Sequence, residues 1–158
     1  MFKLLLHLAT LAMFCAPVFA QEPFAGTWKL NLAKSKYVAA MAAPPKELTL
    51  FGREIGGGQI EFTVTVTTAD GAPMVQKFAV AQQGGVEQFQ QGAPPAGTMV
   101  VAMKTDPWTV DNIVLRDNKQ VQVTHQVVSR DGKTWRGTVR GIDAQGKAYE
   151  GLLVFDKQ

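Results

Sequence analysis

Cysteine is almost absent from this chain. Among its 158 residues there is one, Cys15, and it lies within an apolar N-terminal stretch. If that stretch is removed as a leader, the remaining protein has no thiol, which excludes disulfides, cysteine metal ligands and a cysteine nucleophile. A small exported domain without disulfides has to be stabilised by its hydrophobic core.

The N-terminal stretch has the form of a signal peptide. Lys3 precedes an apolar run that ends at Pro17, and Val18-Phe19-Ala20 supplies residues that a signal peptidase accepts. The run is short for a membrane span. We therefore predict a signal peptide at 1–20 and a single domain at 21–158, with a periplasmic or secreted location and no stable membrane anchor after cleavage. An uncleaved anchor is the alternative.

An excess of charge of one sign is also lacking. Removing Lys3 from the 16 Lys and Arg leaves 15, against 13 Asp and Glu. Such a small positive excess does not predict a nucleic-acid-binding protein. We expect no nucleic-acid partner.

Motifs of catalytic and metal sites are missing as well. Neither Ser35 nor Ser129 lies in a Gly-x-Ser-x-Gly motif. The glycine-rich stretch 52–58 leads into a strand pattern rather than into a phosphate-binding helix. Because His7 belongs to the leader, His125 is the one histidine left, and no His, Asp and Glu spacing has the form of a metal site. We expect no catalytic residue set, no cofactor and no bound metal.

What the sequence does contain is alternation of apolar and polar residues with a period of two. IEFTVTVTT at 60–68 and VQVTHQVV at 121–128 are typical of half-buried strands. Pairs that favour tight turns, such as Asp117-Asn118 and Asp131-Gly132, separate such runs. The resulting strands are predicted near 24–31, 47–55, 59–68, 74–82, 98–104, 108–116, 120–129, 134–142 and 148–156.

This pattern predicts an all-β fold. Pairing the last strand with the first would leave the sheet without unpaired edge strands. We therefore predict an antiparallel meander, closed or nearly closed into a barrel of about 8–9 strands. Two segments depart from the pattern: a short helical segment is expected near 32–42, before Pro44-Pro45, and a long loop is expected at 88–98.

Three stretches of the chain carry a family resemblance: FAGTWKLNLAKSKY, PPKELTL and SRDGKTWRGTVRGIDAQGKAYEGLLVFDKQ. They resemble a family of small secreted bacterial proteins described as lipocalin-like. Gly26-Thr27-Trp28 is also similar to the Gly-x-Trp on the first strand of calycins. The resemblance implies a lipocalin-like β-barrel domain at 21–158. In lipocalins a late arginine commonly covers that tryptophan, whereas here the last strand ends in VFDKQ.

Residues on the predicted interior face form the candidate site. A barrel of this size is either filled by side chains or holds one small ligand. Gly137 and Gly141 share the interior parity of Trp135, and they either leave room for a ligand or, as we favour, let the strand bend. The candidate ligand-binding residues are Trp28, Phe62, Phe78, His125, Trp135 and Tyr149.

Two of these candidates have alternative interpretations. His125 shares the parity of the valines of VQVTHQVV and is expected inside, where it would orient a polar group of a ligand or be satisfied by a backbone carbonyl or by Tyr149. Trp28 is either a ligand wall or, as we favour, a residue that closes the barrel floor.

Three functions remain open at this point. The first is a non-enzymatic periplasmic or secreted protein that binds a small apolar or amphipathic ligand inside the barrel. The second is a structural or protein-interaction module of the cell envelope, with a solidly packed barrel and with loops at 38–46 and 88–98 that meet a partner. The third is an enzyme that uses His125 as a base.

Overall fold

The computed structural model describes residues 22–38, 41 and 43–158. The predicted signal peptide lies outside these described residues. In the described part the chain forms eleven strands, and they are β1 (Gly26–Leu30), β2 (Glu47–Gly56), β3 (Gln59–Thr67), β4 (Pro73–Ala81), β5 (Gly84–Val86), β6 (Gln88–Gln91), β7 (Thr98–Asp106), β8 (Thr109–Arg116), β9 (Lys119–Val128), β10 (Thr134–Ile142) and β11 (Ala148–Lys157).

The strands form one antiparallel sheet in the order β5-β7-β8-β9-β10-β11-β1-β2-β3-β4-β6. The last strand pairs with the first, with Trp28 opposite Lys157 and Leu30 opposite Phe155. This pairing brings the N-terminal and C-terminal halves of the meander together and curls the sheet into a nearly closed barrel. The all-β, antiparallel prediction is confirmed, and each of the nine predicted runs corresponds to a strand.

The predicted count of 8–9 strands is wrong, because two short strands lie between β4 and β7. After β4 the chain crosses to the far edge, where β5 pairs with β7. It then returns, and β6 pairs with β4. Glu87 alone separates β5 from β6, so this residue lies at the seam where the barrel is not closed by hydrogen bonds. The first four residues of the predicted loop at 88–98 are therefore strand.

Helical structure is also more limited than predicted for 32–42. The described residues of this segment form one 3-10 turn, Leu32–Lys34. The Asn31 side chain accepts a hydrogen bond from the Lys34 amide, which caps the turn. At Lys36 the chain pairs again with β11, opposite Leu152. Backbone pairing with β11 thus interrupts the helix that the alanine and lysine content favours.

The turn chemistry at Asp117-Asn118 is as predicted. Both residues have positive φ, 48° and 61°, as a two-residue hairpin turn requires. The tight turn places β8 directly beside β9.

The core is built around aromatic residues at one end of the barrel. The Trp135 ring packs edge-on against Phe24 and Trp28, at centroid distances of 5.1 and 5.7 Å. Trp28 is fully buried, and its indole nitrogen donates to the Phe24 carbonyl oxygen at 3.1 Å. The Lys157 ammonium lies 4.8 Å from the Trp28 ring centroid. A late lysine here makes a cation–π contact over the first-strand tryptophan, at the place where lipocalins commonly have an arginine.

Candidate functional site

The barrel contains a partly open cavity of about 250 Å³ above this aromatic floor. One wall comes from β2, β3 and β4 and is apolar. Its residues are Leu48, Leu50, Ile60, Phe62, Val64, Phe78 and Val80. Strands with alternating apolar residues supply this wall, since every second side chain points inward. The floor is formed by Phe24, Trp135 and Phe155.

The opposite wall, from β8 and β9, carries polar side chains. Asn112, Thr124 and Gln126 line the cavity there. Asn112 lies directly opposite Thr124, while Gln126 lies opposite Val110. The Gln126 amide makes no hydrogen bond to any described residue. The lumen is therefore amphipathic, with an apolar side and a side that offers hydrogen bonds.

The predicted interior position of His125 is wrong. Trp135 is buried and pairs with Val128, which is also buried. Because side chains alternate along a strand, this register turns Gln126 and Thr124 inward and His125 outward. The His125 side chain is 52% exposed, and its Nδ1 lies 2.7 Å from an Asp111 carboxylate oxygen. The valines that share its parity lie on the outer face with it.

The other five candidates lie in different places. Phe62, Phe78 and Trp135 line the cavity, as expected. Trp28 lies beneath Trp135 with no exposed surface, in the role of floor residue that we favoured. The Tyr149 hydroxyl donates to the Gln122 side-chain oxygen at 3.0 Å and does not border the cavity. The structure therefore brings three of the six to one site.

Glu87 is the functional candidate that the sequence did not reveal. Its side chain lines the cavity from the seam between β5 and β6, and the residue is 8% exposed. One carboxylate oxygen accepts a hydrogen bond from the Asn112 amide nitrogen at 3.0 Å. Burial raises the pKa of Glu87 to about 7, since desolvation disfavours the charged form. Isolated in the sequence, Glu87 showed no sign of this environment.

A buried ion pair also lines the cavity. The Lys104 ammonium lies 2.9 Å from both carboxylate oxygens of Glu22. Both side chains are mostly buried, at 14% and 10% exposure, and both line the lumen. Lys104 therefore has its counter-ion already.

The raised pKa of Glu87 predicts a pH dependence of stability. A carboxyl group with a folded pKa of about 7 and an ordinary value of 4.5 binds its proton more tightly in the folded state. The stability that this tighter proton binding contributes is fully present below pH 4.5 and is lost as the pH rises through about 7. The loss amounts to about 3 kcal/mol in the free energy of unfolding. Glu87→Gln removes this contribution.

Urea unfolding of both proteins between pH 4.5 and 8 measures this effect. The difference in free energy of unfolding, variant minus wild type, is expected to rise with pH by about 3 kcal/mol. Taking the difference between the two proteins cancels the pH-dependent contributions of carboxylates whose pKa is lowered in both, such as Asp106 and Asp156. A difference that stays constant over this range would contradict the prediction.

The two glycines on the interior face of β10, Gly137 and Gly141, each lie close to a different neighbouring side chain. Gly137 borders the cavity, and a methyl group there would come within 3.3 Å of the Thr124 methyl carbon. At Gly141 a methyl group would come within 2.5 Å of the Tyr149 ring. Tyr149 pairs with Gly141 across the strands, so its ring lies over the glycine. Both glycines are thus sites of close approach by a neighbouring side chain, while a strand bend at these positions stays a prediction.

Gly141→Ala is expected to lower the free energy of unfolding by about 1–3 kcal/mol, because the added carbon displaces the Tyr149 ring. Denaturant unfolding measures the loss. Tyr149→Phe is the matched control, since it removes only the hydrogen bond to Gln122, worth about 1 kcal/mol. A Gly141→Ala protein as stable as wild type would show that the ring moves without strain.

A second, wider depression of about 550 Å³ adjoins the lumen. Leu48 and Val64 border both spaces. Tyr37 and Pro45 form one side of the depression, and the β3–β4 turn at 68–70 forms the other. Desolvation raises the pKa of the Tyr37 hydroxyl. Leu48 and Val64 therefore lie between the depression and the lumen.

The described residues contain no group of three or more His, Cys, Asp and Glu side chains placed to hold a metal ion. Within the same part of the chain, no helix has the length and hydropathy needed to cross a bilayer.

Comparison with known proteins identifies the fold. Neither protein-family models nor curated protein sequences give a significant match. The chain is similar to the crystal structure of the fluorescent protein UnaG, with a TM-score of 0.56 and 14% identity over 87% of this chain and 98% of that one. A single-site variant of UnaG gives a TM-score of 0.57 with 14% identity, covering 87% and 97%.

Zebrafish ileal bile-acid-binding protein complexed with cholic acid matches at 14% identity over 86% of this chain and 99% of that one. Its TM-score is 0.44, too low to support an argument about fold. Together with the strand order and the pairing of β1 with β11, the similarity to UnaG shows that this chain has the same antiparallel β-barrel fold as that protein.

Proposed function

We propose that the protein is an exported, non-enzymatic binding protein that holds one small amphipathic molecule inside its barrel. The observation that carries this proposal is the cavity of about 250 Å³, whose apolar wall faces polar side chains on β8 and β9. Such a site buries the apolar part of a ligand and hydrogen-bonds to its polar end. The volume corresponds to about eight water-sized groups, which indicates a ligand of roughly that many non-hydrogen atoms in the lumen.

The two rival functions lose part of their basis. A solidly packed structural module does not fit a barrel whose interior contains a cavity of about 250 Å³. An enzyme with His125 as base would need that residue beside a pocket, and it lies on the outer face next to Asp111. A protein-interaction role for the loops remains a prediction.

Export is supported by the leader pattern at 1–20. Kinship with small secreted bacterial proteins also remains part of the proposal. Producing the full chain in a Gram-negative bacterium and determining the mass of the product in the periplasm and medium tests both cleavage and location. We expect a chain that begins at Gln21, and an intact chain retained with cells would contradict export.

Binding is tested on the same purified protein. Native mass spectrometry is expected to show one bound small molecule per chain, which denaturation and solvent extraction release for identification. Octan-1-ol, a neutral amphiphile of suitable size, is expected to bind the emptied protein with one-to-one stoichiometry in calorimetry. An outer-face variant, Val123→Ala, should bind equally well. No extracted molecule and no octan-1-ol binding would together refute the proposal.

A further inference from the structure

The charges that border the lumen do not balance. Glu22, Lys104 and Glu87 are the charged residues that line it among the described residues. Lys104 is held by both carboxylate oxygens of Glu22 at 2.9 Å. Among the described residues Glu87 has no cationic partner, and its one hydrogen bond there comes from the neutral Asn112 amide. An ionised Glu87 is thus a buried negative charge without a counter-ion, an arrangement that is unfavourable in an empty site.

The polar groups that share the lumen with Glu87 include two carboxamides, Asn112 and Gln126, which carry acceptor oxygens as well as N–H donors. Asn112 uses its amide nitrogen for the bond to Glu87, which leaves its carbonyl oxygen available. The Gln126 side chain also borders the lumen and supplies a further carbonyl oxygen. The second carboxylate oxygen of Glu87 has no partner among the described residues. These three oxygens line the same lumen, and together they can accept the three N–H donors of a primary ammonium group.

We propose that the lumen binds a small amphipathic amine, whose ammonium group pairs with Glu87 and whose apolar body lies against Phe62, Phe78 and Val64. This inference rests on the proposed function and assigns the chemical class of its ligand. An anionic ligand is disfavoured, because its charge would meet the unpaired carboxylate of Glu87 while Lys104 stays occupied by Glu22.

The proposal has a pH signature. An ammonium ion pairs with Glu87 only when the carboxyl group is ionised, and free Glu87 titrates near pH 7. The other titratable groups that line the lumen are Glu22 and Lys104, whose charges neutralise each other. The side chains that β8 and β9 present to the lumen are uncharged, and those from β2, β3 and β4 are mainly apolar. Octylamine keeps its charge over this range, as a lysine ammonium does. Its affinity is therefore expected to rise about tenfold between about pH 6 and about pH 8.

The test compares three probes of equal chain length: octylamine, octan-1-ol and octanoate. Calorimetry on the full-chain product is expected to give octylamine the highest affinity at about pH 8 and octanoate the lowest. Glu87→Gln should lower octylamine affinity at this pH by at least tenfold and abolish its pH dependence. Glu150→Gln, on the outer face, is the matched control and should change nothing.

A second measurement uses the wild-type protein alone. At about pH 6.5, octylamine binding should release more than half a proton, measured in buffers of different ionisation enthalpy, and octan-1-ol binding should release none. The proton-release measurement tests the inference even if the Glu87→Gln protein fails to fold. The inference is overturned if octanoate binds as tightly as octylamine, if no proton is released, or if a folded Glu87→Gln protein binds octylamine normally. Binding of octan-1-ol without octylamine overturns the inference alone, while binding of none of the three overturns the proposed function with it.

Discussion

Replacing Trp135 by alanine is expected to lower the free energy of unfolding by about 3–5 kcal/mol. The ring is 5% exposed and forms the centre of the aromatic floor. Besides Phe24 and Trp28, it packs against Phe155 at 5.6 Å and Phe62 at 6.2 Å between ring centroids. These partners lie on or beside β1, β3 and β11, so the truncation loosens contacts across the closed side of the barrel. Most of the loss comes from the buried area and the cavity left behind.

Urea unfolding followed by far-ultraviolet circular dichroism measures the loss. A loss of this size is a large part of the roughly 5–15 kcal/mol that a typical domain possesses. Trp108→Ala is the matched control, because Trp108 is partly exposed in the β7–β8 turn and stacks on Arg130. Trp108→Ala should lower the free energy of unfolding clearly less than Trp135→Ala does. Equal losses for the two variants would show that Trp135 is not the centre of the core.

The strand pattern could be predicted because it depends on local chemistry. Period-two alternation and turn pairs such as Asp117-Asn118 reveal a strand wherever one face is apolar and the hairpin is tight. β5 and β6 have neither signal. Gly84 and Gly85 pair through their backbone alone, and Gln88–Gln91 is polar on both faces apart from Phe89. Long-range pairing, rather than local sequence, makes these residues strands.

The face of β9 was mispredicted for a physical reason. Alternation shows that a strand has two different faces, but it does not show which one is interior when the lumen itself is partly polar. The valines of VQVTHQVV suggested one face, while the tight turn at Asp131-Gly132 places Val128 opposite Trp135 and selects the other. The register of this hairpin could have been derived from the sequence. It would have identified Gln126 in place of His125.

The cavity and the Glu87 site could not be predicted from the sequence. Whether a barrel interior is open depends on the summed volumes of side chains from eleven strands, and the presence of Gly137 alone does not decide it. Glu87 reaches the lumen because it joins two strands at opposite edges of the sheet. Its altered pKa follows from that burial. Both features appear only once distant parts of the chain have been brought together.

Gly137→Leu is expected to abolish ligand binding while leaving the barrel folded. Gly137 borders the lumen, and the four side-chain carbons of leucine would fill roughly half of its eight water-sized positions. The first added carbon lies 3.3 Å from the Thr124 methyl group, a side-chain contact that a small rotation relieves. Some overpacking strain is offset by the loss of a strand glycine, so the free energy of unfolding should change by no more than about 2 kcal/mol.

The expected effect on binding is a loss of at least about a hundredfold in octan-1-ol affinity, because filled space cannot be occupied by a ligand without expelling the leucine. Calorimetry measures it. Thr138→Leu is the matched control: Thr138 is the next residue of β10 and pairs with His125 on the outer face, so the same side chain is added outside the lumen. Binding should persist in Thr138→Leu and vanish in Gly137→Leu. Equal affinity in both variants would place the ligand outside the barrel, because only one of the two leucines enters the enclosed space.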